Sequence, residues 1–335
     1  MRAVQVSRPG GPFELVERPT PEPGPGSVRV KVQACGVCRS DAAAKDGSMP
    51  GVRYPIVPGH EIAGVIDALG PGVSGWSPGQ RVGLGWFAGH CGGCERCRRG
   101  DFMACLRRSI HGVTCDGGYA EAVIADQRSL ALIPDELSAV EAAPMLCAGV
   151  TTYGAMAKCG ARPGSVVAVL GLGGLGHFAV QFAVGMGHFT VAIARGPDKA
   201  ALALGLGARR YIDSTAEDPA EALRSLGGAQ AVIATVTAAD AISRIIDGMT
   251  SDGRLVVVGV PHEPIQVYAH QLLYGRSITG SAGGVAAQSE DAMRFSALNG
   301  VRPVIETLPL EQAAEAYERM LSGQARLRMV LTTGL

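Results

Sequence analysis

Four cysteines within fifteen residues, Cys91-x2-Cys94-x2-Cys97-x7-Cys105 in HCGGCERCRRGDFMAC, constrain this chain more than any other feature. Nine cysteines occur in all, at 35, 38, 91, 94, 97, 105, 115, 147 and 159. The opening segment, broken by Pro9 and Pro12, holds no apolar run of signal-peptide length. A reducing, cytoplasmic setting is therefore expected, where such short loops suit convergence on one ion better than disulfides. Four thiolates close a tetrahedral zinc site with no open position, the signature of a structural metal. An iron–sulfur cluster and four free thiols are the competing readings. Gly92, Gly93 and Gly100 let the backbone wrap such an ion, and Arg96, Arg98 and Arg99 are expected to offset the thiolate charge. The lobe is assigned to residues 86–108.

The rest of the chain must be large enough to carry this lobe. Its 335 residues suggest two domains. With 47% apolar and 18% charged residues, bulk disorder is excluded. Thirty basic and thirty acidic side chains cancel, so no excess exists to neutralise a nucleic acid backbone. No uncharged apolar run long enough to span a membrane occurs without a glycine break. Aromatics make up only 5%, which leaves Val, Ala, Leu and Ile to build the core.

Residues 1–85 read as β-rich: Val28, Val30 and Val32 alternate with polar residues, and a second strand covers Ile62–Ile66. From about 165 the period changes. Strands are expected at 165–170, 190–194, 211–213, 231–236, 255–260 and 277–282, separated by helical segments such as 198–206 and 238–249. That alternation means βαβ units and a doubly wound parallel sheet, an α/β fold beside a smaller β-rich domain. A last helix is expected to bury Leu310, Ala313, Ala314, Tyr317, Met320 and Leu321. The final strand is placed at 329–332.

Gly171-x-Gly173-x-x-Gly176, with Gly174 inside it, follows the strand VVAVL and opens a helix. In that context the first glycine makes the turn, the second admits a pyrophosphate, and the third packs helix on strand. A dinucleotide cofactor is implied. The acid that would bind the adenosine ribose hydroxyls is missing about 20 residues on. Ala194 and Arg195 stand there instead, so NADP(H) is favoured and NAD(H) remains open.

Three further segments, CGVCRSD, VPGHE and MLCAGVTTY, carry Cys38, His60 with Glu61, and Cys147. Taken singly, each reads as a buried structural residue, and Cys35 reads as core. Together with the lobe and the glycine loop, in this order, they closely resemble the zinc-dependent alcohol dehydrogenases of the medium-chain dehydrogenase/reductase superfamily. VLGLGGLGH and the C-terminal RMVLTTG look like the bacterial, cinnamyl-alcohol-dehydrogenase-like branch.

The resemblance implies a GroES-like catalytic domain over 1–150, a Rossmann-type domain over 151–284 and a return to the first over 285–335. It implies two zinc ions per chain. Cys38, His60 and Cys147 would be the catalytic ligands, with Glu61 able to enter the shell and Asp41 orienting the histidine. Ser40 would accept the alcohol proton, Arg39 and Arg328 would contact the cofactor pyrophosphate, and Thr151 the nicotinamide. The implied reaction passes hydride between a nicotinamide cofactor and an alcohol, aldehyde or ketone. Reduction of a conjugated C=C bond is the alternative. The implied partners are a small-molecule substrate and further copies of the chain, as a homodimer or homotetramer. One departure is plain: where many relatives place a relay histidine, three residues after Ser40, this chain has Ala43.

Overall fold

The computed structural model describes residues 1–335. They divide into two compact units, Met1–Val150 with Gly283–Ala297 and Arg302–Leu335, and Thr151–Ala282 with Leu298–Val301.

In the first unit, β1 (Arg2–Gln5) and β2 (Glu14–Glu17) form a hairpin. The main sheet is built on the long β3 (Ser27–Val37), with β4 (Ile62–Leu69) and β5 (Arg81–Leu84) antiparallel beside it. β6 (Phe87–Gly89) pairs with β7 (Ser109–Ile110) at the base of the cysteine lobe. β8 (Ala122–Asp126) pairs with β3, and β9 (Ala131–Leu132) with β5. Val28, Val30 and Val32 point into the core as their alternation requires. Beyond a register shift between Val32 and Ala34, β3 becomes buried on both faces from Ala34 to Val37. That carries Cys38 out of the sheet from a rigid, fully packed strand end.

The second unit holds β10 (Val166–Leu170), β11 (Phe189–Ala194), β12 (Arg210–Asp213), β13 (Ala229–Ala234), β14 (Met249–Val257) and β15 (Ser277–Gly280). All pair in parallel, in the order β12-β11-β10-β13-β14-β15, so the six expected strands form one doubly wound sheet. Ala168, Val191, Ile193, Val232 and Leu255 are fully buried, as strands covered on both faces demand.

β16 (Ile305–Pro309) and β17 (Arg328–Thr332) return to the first sheet, β17 lying against β3. The last helix, Ala313–Leu321, buries Ala313, Ala316 and Tyr317, whereas Ala314 and Leu321 are exposed. The expected face is thus rotated, because Leu310 sits in a tighter 3₁₀ turn that shifts the phase of the helix after it. A fourteen-residue helix, Ala286–Asn299, has no strong apolar stripe and was not among the expected elements. No helix is long and apolar enough to cross a membrane.

Candidate metal centres and cofactor loop

The four lobe cysteines converge. Sγ–Sγ distances are 3.5 Å for Cys94–Cys97, 3.6 Å for Cys91–Cys105, and 3.9 Å for both Cys91–Cys97 and Cys94–Cys105. Zinc–sulfur bonds of about 2.3 Å put tetrahedral edges at about 3.8 Å, so the donor set fits one ion. Backbone N–H groups of Cys91 and Arg107 donate to Cys105 Sγ at 3.4 Å. The N–H groups of Cys94 and Gly93 draw the Cys91 thiol down to about 5, while burial and the neighbouring thiols push Cys97 up to about 12. Four thiols this close cannot ionise together without a cation among them. Charge compensation differs from expectation: Arg107 faces Cys91, whereas Arg96 and Arg99 pair with Asp101 and Glu95. Exposed acids lie nearer to those two guanidinium groups, five and four residues along the chain.

The second cluster gathers Cys38, His60, Glu61 and Cys147, with donor atoms all within 4.8 Å of one another. Cys38 precedes a 3₁₀ turn, Arg39–Asp41, whose Arg39 and Ser40 side chains are exposed. Cys147 lies in a wide π-helical turn, Met145–Gly149. Its neighbour Leu146 packs so tightly on β5 that a Cβ at Gly83 would lie 2.6 Å from it. The two thiols are 3.9 Å apart. His60 is 1% exposed; its Nδ1 lies 2.8 Å from Asp41 Oδ1, and its Nε2 has no partner. Asp41 Oδ2 also accepts from the Cys38 N–H and the Tyr119 hydroxyl, both at 2.9 Å. One carboxylate therefore fixes the histidine ring and the cysteine backbone together, leaving Nε2 as the donor. The indole of Trp86 meets the His60 ring edge-on at 4.8 Å.

Glu61 is fully buried, with both oxygens 2.5 Å from Nη2 of Arg328, itself 7% exposed. Burial raises the Glu61 carboxyl to about 7 although Arg328 works against it. A Cβ at Gly36 would fall 1.9 Å from Glu61 Oε2, so only glycine leaves room for that carboxylate. Sequence reasoning missed Tyr119 and the Glu61–Arg328 pair. Their partners lie 78 and 267 residues away, and no local pattern marks them.

In the second unit, the glycine loop joins β10 to the helix Gly176–Gly185. Gly171 has φ of 102°, and a Cβ at Gly176 would lie 2.0 Å from the Gly171 carbonyl oxygen. Nothing lies within 4 Å of a Cβ at Gly173, where the glycine pattern leads one to expect close approach of a pyrophosphate. A cavity of about 420 Å³ opens at the carboxyl ends of β10 and β12, lined in part by Leu170, Ser214, Thr215, Ala241 and Ile245. Arg195 is exposed at the end of β11, and Thr151 is buried in the helix Val150–Lys158.

Comparison with known proteins accords with this geometry. Residues 24–135 match the alcohol dehydrogenase GroES-like domain and residues 174–298 the zinc-binding dehydrogenase family. Alcohol dehydrogenase notN of Aspergillus sp. is 42% identical over 96% of this chain and 95% of its own. A solved NAD-dependent alcohol dehydrogenase superposes with a TM-score of 0.92 at 33% identity, all of both chains being covered. A cinnamyl alcohol dehydrogenase from Sorghum bicolor gives 0.89 at 31%, over 99% of this chain and 97% of its own. The chain belongs to the zinc-dependent alcohol dehydrogenases of the medium-chain dehydrogenase/reductase superfamily, enzymes that act on CH–OH groups.

Proposed function

We propose that this alcohol dehydrogenase holds two zinc ions per chain, a catalytic one on Cys38, His60 and Cys147 and a structural one on Cys91, Cys94, Cys97 and Cys105. The observation that carries the reading is the buried, unpartnered Nε2 of His60, converging with two thiols while Asp41 takes the other ring nitrogen. When bound, zinc supplies polarisation of an alcohol or carbonyl oxygen, and the nicotinamide supplies the acceptor or donor of hydride.

The chain's own residues do the rest. Asp41 holds His60 in the tautomer that presents Nε2. Arg328 holds Glu61 beside the site as a reserve carboxylate. Ser40, one residue from Asp41 in the exposed turn after Cys38, receives the alcohol proton. With Ala43 beyond it, that proton leaves through water rather than a histidine. Arg39 and Arg328 serve the cofactor pyrophosphate, Thr151 the nicotinamide, and Gly171, Gly173, Gly174 and Gly176 the phosphate turn. The cavity at β10 and β12 suits the adenosine half.

NADP(H) is the favoured cofactor because Ala194 and Arg195 stand where an acid would select NAD(H). A homodimer or homotetramer is built on the free edge of β15, beside the exposed Val260, Tyr268, Leu273 and Tyr274. Nine unbridged cysteines suit a reducing, cytoplasmic setting.

The test is reduction of an α,β-unsaturated aldehyde with NADPH and with NADH, followed by product analysis. The allylic alcohol, formed faster with NADPH, is expected. A saturated aldehyde would overturn the carbonyl chemistry, and faster turnover with NADH would overturn the cofactor preference.

A further inference from the structure

The acid absent from the end of β11 reappears one strand over. β11 and β12 run in register with Ala194 opposite Asp213, so a carboxylate ends β12 beside the place where one would otherwise select the ribose hydroxyls. This carboxylate is turned onto the next loop. Asp213 Oδ1 accepts from the N–H of Gly196 at 2.8 Å, the N–H of Thr215 at 2.9 Å and the hydroxyl of Thr215 at 2.7 Å. Two residues back on the same strand, the Tyr211 hydroxyl donates to the carbonyl oxygen of Gly196 at 2.5 Å. Both polar groups of one glycine are thus gripped by β12. Gly196 sits at φ of 78°, with nothing within 4 Å of a Cβ, so apart from these two hydrogen bonds nothing packed against its α-carbon fixes that peptide. It lies between Arg195 and Pro197, the first residue of the next 3₁₀ turn.

We propose that Tyr211 and Asp213 are positioning residues for cofactor choice: by clamping Gly196 they hold Arg195 where it meets the adenosine 2′-phosphate. This rests on the reading that Arg195 selects NADP(H). A flexible glycine after a long cationic side chain lets the guanidinium sample many positions. The clamp removes that freedom before the cofactor arrives, which lowers the ordering cost of binding. It also engages the carboxylate through three donors, so that a negative charge one strand from the phosphate is directed at the loop backbone. The Asp213 carboxyl accordingly lies below its ordinary value, through the Thr215 backbone and hydroxyl and the Gly196 N–H.

The test is the ratio of kcat/KM for NADPH to that for NADH in the full-length enzyme. Tyr211→Phe and Asp213→Ala should each lower this ratio about tenfold, since each removes one of the two hydrogen bonds that grip Gly196 behind a charged contact. The loss should enter through the KM for NADPH rather than through kcat. Asp213→Asn keeps an acceptor for the Gly196 N–H and should keep the ratio at or above the wild-type value. In an Arg195→Ala background, Tyr211→Phe should have no further effect on the ratio. If Arg195→Ala lowers the ratio and the Tyr211 and Asp213 variants leave it unchanged, or shift both cofactors equally, the clamp is refuted while the role of Arg195 stands. If Arg195→Ala itself leaves the ratio unchanged, the underlying assignment falls and the clamp falls with it.

Discussion

The cysteine lobe and the Cys38/His60/Cys147 centre use the same kinds of donor and differ in how the chain assembles them. In the lobe, fifteen consecutive residues supply all four thiols, and local backbone N–H groups stabilise them. In the other centre, Cys38 and Cys147 are 109 residues apart and His60 comes from a third segment. One ends a buried strand, one stands in a loop, and one rides a π-helical turn. A local set saturates its ion and serves the fold around it. A scattered set is a product of the fold, and on the proposed assignment its three donors, with Glu61 held by Arg328, would leave a position for substrate. Whether the chain supplies the fourth donor separates support from chemistry.

The comparison can be broken most forcefully at Cys97. Cys97→Ser should collapse soluble yield and thermal stability, because structural zinc contributes folding free energy directly. Wild-type unfolding by circular dichroism would contradict the structural role. Cys147→Ser should do the opposite. Turnover is expected to fall about 100-fold or more, while the melting temperature shifts by no more than about 3 °C. Steady-state rates beside a thermal melt would show a failure as near-normal turnover.

A smaller effect sharpens the contrast. Asp41→Asn replaces an oxygen that accepts from the Cys38 N–H and the Tyr119 hydroxyl, or displaces the His60 contact, because an amide has one acceptor oxygen. Metal affinity at the scattered centre should drop about 10–100-fold, read by competition with a chromogenic chelator, with lobe zinc unaffected. Equal weakening of both ions would mean that Asp41 acts on the fold as a whole. The smallest effect concerns proton exit, which only an open site needs. Ala43→His should raise alcohol oxidation by about two- to tenfold near neutral pH, a gain that fades as hydroxide takes over. An equal gain at all pH values would point away from a relay.

The lobe was legible in the sequence because its geometry is local: spacing alone placed four thiols at tetrahedral separations. Most of the six parallel strands were legible because each carries a short apolar run, such as VVAVL before Gly171 and TVAIA before Arg195-Gly196. The proposed scattered ligands could be read only through resemblance, since nothing in VPGHE says where His60 will point. Tyr119 was not legible at all: its hydroxyl reaches Asp41 only once β3 and the segment before β8 have packed. Arg328 was read for the cofactor alone, and nothing local in the sequence showed that its guanidinium also meets Glu61. The rotated face of the last helix shows the same limit, a single 3₁₀ turn being enough to change which alanine is buried.

The most direct test of the division between the two centres is stepwise removal of metal from the wild-type enzyme by a chelator. Zinc content, alcohol oxidation and far-ultraviolet circular dichroism would be followed in the same samples. The account predicts two zinc ions per chain, with activity lost in step with the first and secondary structure lost only with the second. Activity that survives removal of the first zinc, or a fold that melts as that zinc leaves, would contradict it.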